Sequence, residues 1–334
     1  MAPQQSASHS TSSVSRRYLV TGALGCIGAW VSRKLAEEGS VVIAYDLGDD
    51  DHRLQLAVPP DLRARITRVV GDVTNQPLLE RTIAEHGIEA IIHLAALQVP
   101  GCRANPVLGA EVNVIGTLAI FEAAKAQLSG EAPIVYASSV AAYDAIDSGK
   151  DDPEELTGRA RTHYGVYKRA NEGAAFVYWA DEGISSIGLR PHVVYGPGRD
   201  QGLTSDPSLA MLAAARGQRY HIRFGGRCQM QYVEDVARNF VSATRSPLRG
   251  ARVINLVGSA VHMREIVAAI EAAVPSVSSQ ITYDDIALPF PGQVKADSGE
   301  LFSGIAETSL LEGVRKTIAR FKSYASEADA ESGT

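Results

Sequence analysis

Cysteine is scarce in this sequence of 334 residues, and basic residues are outnumbered by acidic ones. The three cysteines show no paired spacing, which argues against a disulfide framework or a structural zinc site and suits a reducing compartment. The formal net charge of −6 gives no bulk attraction for nucleic acid or anionic membranes. No apolar run approaches the roughly 18 residues of a membrane span. We therefore expect a cytoplasmic protein without metal, nucleic acid or membrane partners.

The two ends of the sequence differ from what lies between them. Residues 1–16 are serine-rich and lack acids, and residues 326–334 are small and polar, so both are expected to be disordered tails. Between them, apolar runs alternate with helical patterns. The predicted strands are Arg17–Thr21, Val41–Asp46, Ile66–Asp72, Ala90–Ala95, Ile134–Ser138 and Ser186–Arg190. This alternation predicts an α/β fold with a parallel, doubly wound sheet of the Rossmann type.

Three glycines, Gly22, Gly25 and Gly28, follow the first predicted strand at intervals of three. In a strand–turn–helix unit they permit a tight turn, the approach of a pyrophosphate, and close packing of helix on strand. Asp46 ends the second strand, and its carboxylate would accept both ribose hydroxyls and repel a 2′-phosphate. The pattern predicts NAD as cofactor, against the alternative of a solvated strand-end aspartate. Arg53 is the opposing signal, because its guanidinium would bind a 2′-phosphate and so accommodate NADP.

Two other residues near this loop have candidate roles. Asp72 follows the third strand and is placed to bond the adenine, although an aspartate in the sequence GDV is also a common turn former. Cys26 lies inside the glycine loop, where it is expected to be a small apolar filler and not a nucleophile.

The amino-acid composition changes after Pro191, where glycine, proline and polar residues become frequent. Helical patterns follow near Ser208–Gly217, Val233–Arg245, Met263–Val274 and Leu310–Ala325. We expect an NAD-binding domain at 17–190, to which 229–257 return. The segments 191–228 and 258–325 are expected to form a smaller substrate-binding lobe over the carboxyl edge of the sheet, where ligands of such folds bind.

The segment HYGVYKRANE places Tyr164 and Lys168 four residues apart, on one face of a predicted helix. A phenol with a pKa near 10 is a poor base at neutral pH, and a nearby ammonium would favour its phenolate. Tyr164 would then exchange a proton with a substrate hydroxyl, while Lys168 would also hold the nicotinamide ribose.

Two polar residues complete the candidate catalytic set. Ser139 lies just beyond the fifth strand and 25 residues before Tyr164, where its hydroxyl would donate to the reacting oxygen. Adjacent serines at a strand end are also common turn formers. Asn113, within a helical segment, would order a water or a backbone group beneath Lys168; the alternative is an exposed helical asparagine.

In order and spacing, these motifs resemble the extended short-chain dehydrogenase/reductase family over roughly residues 17–245, and most closely its NAD-dependent epimerase/dehydratase branch. HLAA at 93–96 and LRPHVVYGPG contribute to the resemblance. It implies NAD along the sheet edge, a Ser–Tyr–Lys catalytic set and a lobe for a sugar-like substrate. It also implies homodimerisation through the helices Pro106–Leu128 and Thr162–Glu182. The implied cofactor contacts include Cys26, Ile27, Val73, Leu94, Ala95, Ala96 and Pro191.

The sequence departs from particular branches of this family. Ser139 is followed by Val140 and Ala141, where nucleotide-sugar dehydratases have an Asp-Glu pair, so a dehydratase is disfavoured. Positions that often hold asparagine and arginine in UDP-hexose epimerases hold Val193 and Cys228 here, and the anchors for a nucleotide diphosphate are weakened. Gln98 also stands where lysine is frequent.

The substrate-binding candidates are Gln98, Ser139, His192, Arg199 and Arg227. Arginine suits a carboxylate or phosphate, although Arg199 would also suit an exposed loop. Three hypotheses follow, in decreasing order of support. The chain is an NAD-dependent dehydrogenase of a sugar, sugar acid or similar compound, a nucleotide-sugar epimerase with unusual anchors, or a non-catalytic dinucleotide sensor.

Overall fold

The computed structural model describes residues 16–143, 160–297, 299–302 and 305–332. The expected tail at 1–16 lies outside them except for Arg16, as do residues 333–334. The strands are β1 Arg17–Thr21, β2 Val41–Asp46, β3 Ile66–Val70, β4 Ala90–His93, β5 Ile134–Ala137, β6 Ser186–Arg190, β7 Val193–Tyr195, β8 Tyr220–Ile222, β9 Arg227–Tyr232, β10 Ala251–Asn255, β11 Ser259–His262 and β12 Ile281–Tyr283. The α-helices are α1 Cys26–Glu37, α2 His52–Ala57, α3 Pro60–Arg63, α4 Gln76–His86, α5 Val99–Ala104, α6 Pro106–Ala110, α7 Gly116–Gln127, α8 His163–Glu182, α9 Asp206–Ala215, α10 Val233–Ala243, α11 Met263–Ala273 and α12 Leu310–Ser332.

A parallel sheet organises the larger part of the fold. Among the described residues it has seven strands in the order β3-β2-β1-β4-β5-β6-β10. The order reverses between β1 and β4, so their carboxyl ends form the crevice in which doubly wound folds bind ligands. Tyr18 and Val20 pack into one hydrophobic cluster and Leu19 into a second. The sheet is therefore buried on both faces, and the predicted fold class is confirmed.

The second lobe contains smaller sheets. In the part of the chain that the structure describes, β7, β9 and β11 form a three-stranded sheet and β8 pairs with β12. Helices α9, α11 and α12 pack with one another over these strands. The chain returns to the large sheet through β10, which pairs in parallel with β6, and through α10, which packs on α1. The exact lobe boundaries given above remain a prediction.

The C-terminal helix corrects one expectation. The composition of residues 326–334 predicts a disordered tail, but α12 continues to Ser332. Acidic and basic residues at helical spacing extend the pattern beyond the last apolar turn, as in the pair between Arg320 and Glu327.

A continuous helical segment, Pro106–Gln127, joins α6 to α7 through a π-helical turn at Glu111–Ile115. Its 22 residues are long and apolar enough to cross a membrane, although the sequence has no unbroken apolar run of that length. Length and composition alone are weak evidence, and half of its apolar window is buried inside the protein. Core helices pass the same test, so the absence of a membrane partner remains a prediction.

Candidate active site

A cavity of about 740 Å³ lies at the carboxyl ends of β1, β2, β4 and β5, beneath the loop that follows β7. It is lined by nearly all the residues that the sequence singles out: Gly22, Gly25, Cys26, Ile27, Gly28, Asp46, Asp72, Val73, Leu94, Ala95, Ala96, Gln98, Ser139, Tyr164, Lys168, Pro191, His192 and Arg199. Asn113 and Arg227 do not line it. The crevice thus combines the candidate cofactor and catalytic residues in one space.

The glycine loop leaves room for a phosphate. A Cβ at Gly22 would meet the Ala95 nitrogen at 2.6 Å, and one at Gly28 would meet the Gly22 oxygen at 2.1 Å, so both glycines serve close backbone packing. A Cβ at Gly25 would have the Gly22 oxygen at 3.1 Å as its one neighbour within 4 Å among the described atoms. The first N–H groups of α1 lack intrahelical partners, and its first turn contains no acidic residue. This cradle fits the pyrophosphate of a dinucleotide.

The acidic residues of the cofactor half are held by backbone groups. Asp46 accepts a hydrogen bond from the Leu24 N–H at 2.9 Å, which fixes its carboxylate beside the glycine loop. Asp72 accepts from the N–H and the hydroxyl of Thr74, both at 2.8 Å, so it does form a turn while lining the cavity. Burial raises the pKa of Cys26 to about 12, which keeps its thiol protonated and agrees with a filler role. The roles of Asp46 and Asp72 toward a ligand remain predictions.

Ser139 and Tyr164 meet at the other end of the cavity. Ser139 accepts from the Ala141 N–H at 3.1 Å, which leaves its hydroxyl hydrogen for the bond with Tyr164. Burial raises the pKa of Tyr164, while the positive charge of Arg199 and the Ser139 hydrogen bond oppose this rise. Arg199 is thus a cation that favours the phenolate and that sequence patterns do not indicate, while the same role for Lys168, 5.4 Å from the ring centroid, remains a prediction.

Lys168 lies behind the tyrosine ring. Its Nζ is 5.4 Å from the ring centroid of Tyr164 and donates to the Ala137 carbonyl at 2.7 Å. Burial lowers the pKa of Lys168 to about 8, although Cys102 and Glu172 oppose this effect. The structure thus holds Lys168 as a desolvated ammonium at the end of β5, and its contact with a nicotinamide ribose remains a prediction.

Asn113, a candidate catalytic residue by sequence, does not line the cavity. It is fully buried in the π-helical turn, and its Nδ2 donates to the Leu97 carbonyl at 3.0 Å and to Cys102 Sγ at 3.1 Å. It therefore orders a backbone group, as one expectation had it, but it lies behind the cavity wall. Packing of the π-helical turn against α8, where Asn171 Nδ2 donates to the Asn113 carbonyl at 2.9 Å, excludes the exposed alternative and makes Asn113 a positioning residue.

The substrate end is lined by His192, Arg199 and Gln98. The ring of His192 is buried, and its Nε2 lies 2.7 Å from the Pro291 carbonyl, so Nε2 carries the proton and Nδ1 is an acceptor. Burial lowers its pKa to about 4, which keeps the ring neutral. Among the described residues, Nδ1 has no hydrogen-bond partner.

Arg199 reaches into the cavity from the loop after β7. Its two Nη atoms donate to Gln98 Oε1 at 3.2 Å and to Thr204 Oγ1 at 3.1 Å. Its buried Nε has no hydrogen-bond partner within the described parts of the chain, and no described carboxylate forms a salt bridge with it. Arg199 is thus held by neutral groups and keeps its charge available at the site.

Arg227 does not take part in this site. It is exposed at the start of β9, and its guanidinium donates to the Ala260 carbonyl at 3.2 Å. Side chains alternate along a strand, so Arg227 points to solvent while Cys228 points to the core. The structure therefore places Arg227 outside this cavity, and nothing in its contacts with other described residues supports the expectation that it binds substrate.

Several supporting groups escape the sequence analysis. Glu172 pairs bidentately with Arg190 and accepts from the hydroxyl of Ser138, the neighbour of Ser139. Both charged side chains are about 90% buried. Glu172 is four residues after Lys168, so helical spacing is one available signal; Arg190, on another strand, gives none. The pair ties the catalytic helix α8 to the ends of β5 and β6.

A second buried network surrounds His93 of β4. His93 Nδ1 lies 2.7 Å from Thr21 Oγ1 and its Nε2 lies 3.1 Å from Thr117 Oγ1, which also accepts from Asn171 at 3.0 Å. Burial lowers the pKa of His93 to about 3, so the ring stays neutral. This chain of hydrogen bonds connects the strand before the glycine loop with helix α8.

The strand order, the glycine loop at the switch point and the adjacent Ser–Tyr–Lys set define a Rossmann-type dinucleotide-binding protein. Residues 18–256 match the NAD dependent epimerase/dehydratase family, and the chain belongs to that family. NAD is accordingly its cofactor.

The chain is similar to known proteins both in sequence and in structure. UDP-glucuronate 4-epimerase 6 of Arabidopsis thaliana is 33% identical over 183 residues, which are 54% of this chain and 40% of that protein. The alignment thus spans less than half of the plant relative. The NAD complex of UDP-glucose 4-epimerase from Thermus thermophilus is similar with a TM-score of 0.77 and 25% identity, covering 92% of this chain and 99% of that one. A partial-consensus L-threonine 3-dehydrogenase, at 0.79 and 24% with the same coverage, shares the fold.

Proposed function

We propose that the protein is an NAD-dependent dehydrogenase that oxidises a secondary alcohol of a small polyhydroxylated acid, or reduces the corresponding ketone. The observation that carries this proposal is Arg199, a cation held by neutral partners at the cavity end that contains Tyr164. A guanidinium without an acidic partner is a suitable binding group for a carboxylate. Residues of β9 that would anchor a nucleotide diphosphate contribute nothing to the cavity wall.

The proposed mechanism follows from the positions of three side chains. Tyr164, as phenolate, takes the proton of the substrate hydroxyl, while Ser139 donates to the same oxygen as it becomes a carbonyl. The cofactor half of the cavity, with Gly25 and Asp46, would hold NAD, which would supply the acceptor for the hydride of the substrate carbon. Arg199 favours the phenolate and orients the substrate through its carboxylate, which supplies the proximity that such a transfer needs. The buried Lys168 adds positive charge behind the tyrosine ring.

Absorbance at 340 nm tests the proposal. The purified protein is incubated with NAD and matched pairs of substrates, each acid beside its neutral sugar. We expect NADH to form in proportion to an acid consumed, and an Arg199→Gln variant to lower kcat/KM for that acid by about 10²-fold, more than for its neutral partner. Equal loss for both members of a pair, or no NADH with any acid, would contradict the proposed substrate class.

The similarity to named UDP-glucuronate 4-epimerases favours a second candidate, a nucleotide-sugar 4-epimerase. UDP-glucuronate also carries a carboxylate that Arg199 could bind. This activity would consume no NAD, so chromatography of UDP-sugars in the same samples separates the two functions. Interconversion of a UDP-sugar without NADH growth would establish the epimerase instead.

We further propose a homodimer formed through the helical segment 106–127 and α8. Exposed apolar side chains lie on both elements: Val107, Leu108 and Ile115 on the first, and Val166, Phe176 and Val177 on the second. Val166 and Val177 are eleven residues apart, about three helical turns, so they share one face of α8, and Phe176 adjoins that face. Exposed apolar side chains on two helical elements support an interface with a second copy of this chain.

Light scattering coupled to size-exclusion chromatography tests the dimer. We expect Phe176→Glu to shift the protein toward a monomer, because a charge would then be buried in the interface. Ile286→Glu is the matched control, since Ile286 is equally exposed, at 62% against 63%, but lies outside both helices. A wild-type monomer, or equal shifts by both variants, would refute the interface.

The three free cysteines support, as a proposal only, a reducing, cytoplasmic location.

A further inference from the structure

An ion cluster joins the two lobes at the cofactor end of the cavity. Arg53 of α2 donates from Nε to both carboxylate oxygens of Asp200, at 2.8 and 3.1 Å, and its Nη2 lies 2.8 Å from Oδ1. The same carboxylate lies 2.8 Å from His52 Nε2. Asp200 belongs to the loop after β7, almost 150 residues further along the chain. One acidic residue of the second lobe thus binds two basic residues of the first.

This cluster lies beside Asp46, the residue expected to bind the adenosine ribose. Asp46 accepts from the Leu24 N–H at 2.9 Å, while Arg53 Nη1 donates to the Leu24 carbonyl at 3.4 Å. Asp46, Arg53 and Asp200 all line the cavity. Arg53 and Asp46 thus contact the backbone of the same residue, and the Arg53 guanidinium, 15% exposed, is already paired with Asp200.

We propose that Asp200 is a determinant of cofactor specificity that holds Arg53 away from the adenosine ribose and so excludes a 2′-phosphate. A guanidinium forms its strongest contacts with carboxylates and phosphates through the same bidentate fork, so Asp200 and a 2′-phosphate would compete for it. Asp200 also adds a second negative charge near Asp46. NAD selection is thus divided between a strand-end aspartate of one lobe and a loop aspartate of the other.

Binding of two nonreactive probes tests this proposal without catalysis. ADP-ribose and its 2′-phosphate are titrated calorimetrically into wild type and Asp200→Asn. We expect Asp200→Asn to improve the affinity for the 2′-phosphate relative to ADP-ribose by about tenfold or more, because Arg53 becomes available to the phosphate. Adding Arg53→Gln to Asp200→Asn should abolish this gain.

A matched control separates this effect from net charge. Asp51→Asn removes one negative charge from the neighbouring turn, but in the described structure Asp51 pairs with Arg68 and forms no salt bridge with Arg53. An unchanged affinity ratio in Asp200→Asn, or an equal change in Asp51→Asn, would overturn the proposal. An equal loss of affinity for both probes would show that Asp200 only supports the loop, and would overturn it as well. None of these outcomes depends on the substrate proposed above.

Discussion

Lys168 gives the sharpest test of the site's electrostatics. It is 3% exposed, and burial lowers its pKa to about 8 from an ordinary value of 10.5. Between these pH values the unfolded chain binds a proton that the folded chain does not, so stability rises with pH. The depressed pKa costs the folded state about 3 kcal/mol at pH 7 and about 1 kcal/mol at pH 9.5.

The perturbation is Lys168→Met, which removes the titrating group and keeps most of the side-chain volume. Comparing the two proteins cancels the titrating groups that do not interact with Lys168. We expect wild type to gain about 2 kcal/mol relative to the variant between pH 7 and pH 9.5. The variant also loses the hydrogen bond to the Ala137 carbonyl, but that loss shifts the difference by a similar amount at both pH values.

The assay is urea denaturation of both proteins without cofactor, at pH 7 and pH 9.5. The midpoint and slope at each pH give four free energies of unfolding. A difference between wild type and variant that stays constant with pH would refute the assignment of a depressed pKa to Lys168. A difference that moves in the opposite direction would mean that a carboxylate stabilises the ammonium, contrary to the dominance of burial.

The remaining predictions concern the catalytic tyrosine, the glycine loop and the buried ion pair. Tyr164→Phe should lower kcat by about 10²- to 10⁴-fold with NADH affinity retained in fluorescence titration; a loss of NADH binding would contradict its role in proton transfer. Gly25→Ala should fold with near-normal stability by calorimetry but bind NADH weakly, whereas Gly28→Ala should unfold at lower temperature because its Cβ meets the Gly22 oxygen. Similar melting temperatures of Gly25→Ala and Gly28→Ala would refute the assignment of a binding role to Gly25 and a packing role to Gly28. Glu172→Gln should lower the free energy of unfolding by roughly 3 kcal/mol in urea, since it leaves Arg190 buried without its partner; a loss below about 1 kcal/mol would contradict this.

Local sequence patterns predict the frame of this fold well. The bounds of β1, β2 and β6 agree with the predicted strands, because each is an apolar run with a clear end. The strand at Ala90 ends two residues earlier than predicted, at His93. There the Ala95 N–H turns toward the Thr21 hydroxyl, an interaction between distant segments that the apolar run does not reveal.

The site is predictable where a motif is local and escapes prediction where charges come from distant segments. The spacing of Tyr164 and Lys168 places both at the cavity, but a further charge that acts on the tyrosine belongs to Arg199, in the loop after β7. Asn113 is polar in a helix, and only tertiary packing decides that it is buried. A sequence pattern gives residue types and local geometry, whereas pKa values and long-range pairs depend on the assembled fold.

The loop after β7 connects the two ends of the cavity in a way that follows from its anchoring. Trp30 of α1 donates to the Pro197 carbonyl at 2.9 Å, and this buried contact fixes the start of the loop against the glycine-loop helix. Two adjacent residues of opposite charge follow. The charge of Arg199 acts on Tyr164, and Asp200 binds Arg53 beside the glycine loop. Because neighbouring residues share one backbone, a change that moves Asp200 must also move Arg199. Substitutions in this loop are therefore expected to change two properties together: the preference for an acidic over a neutral substrate, and the preference for NAD over NADP. Residues that belong to one network show such coupled effects.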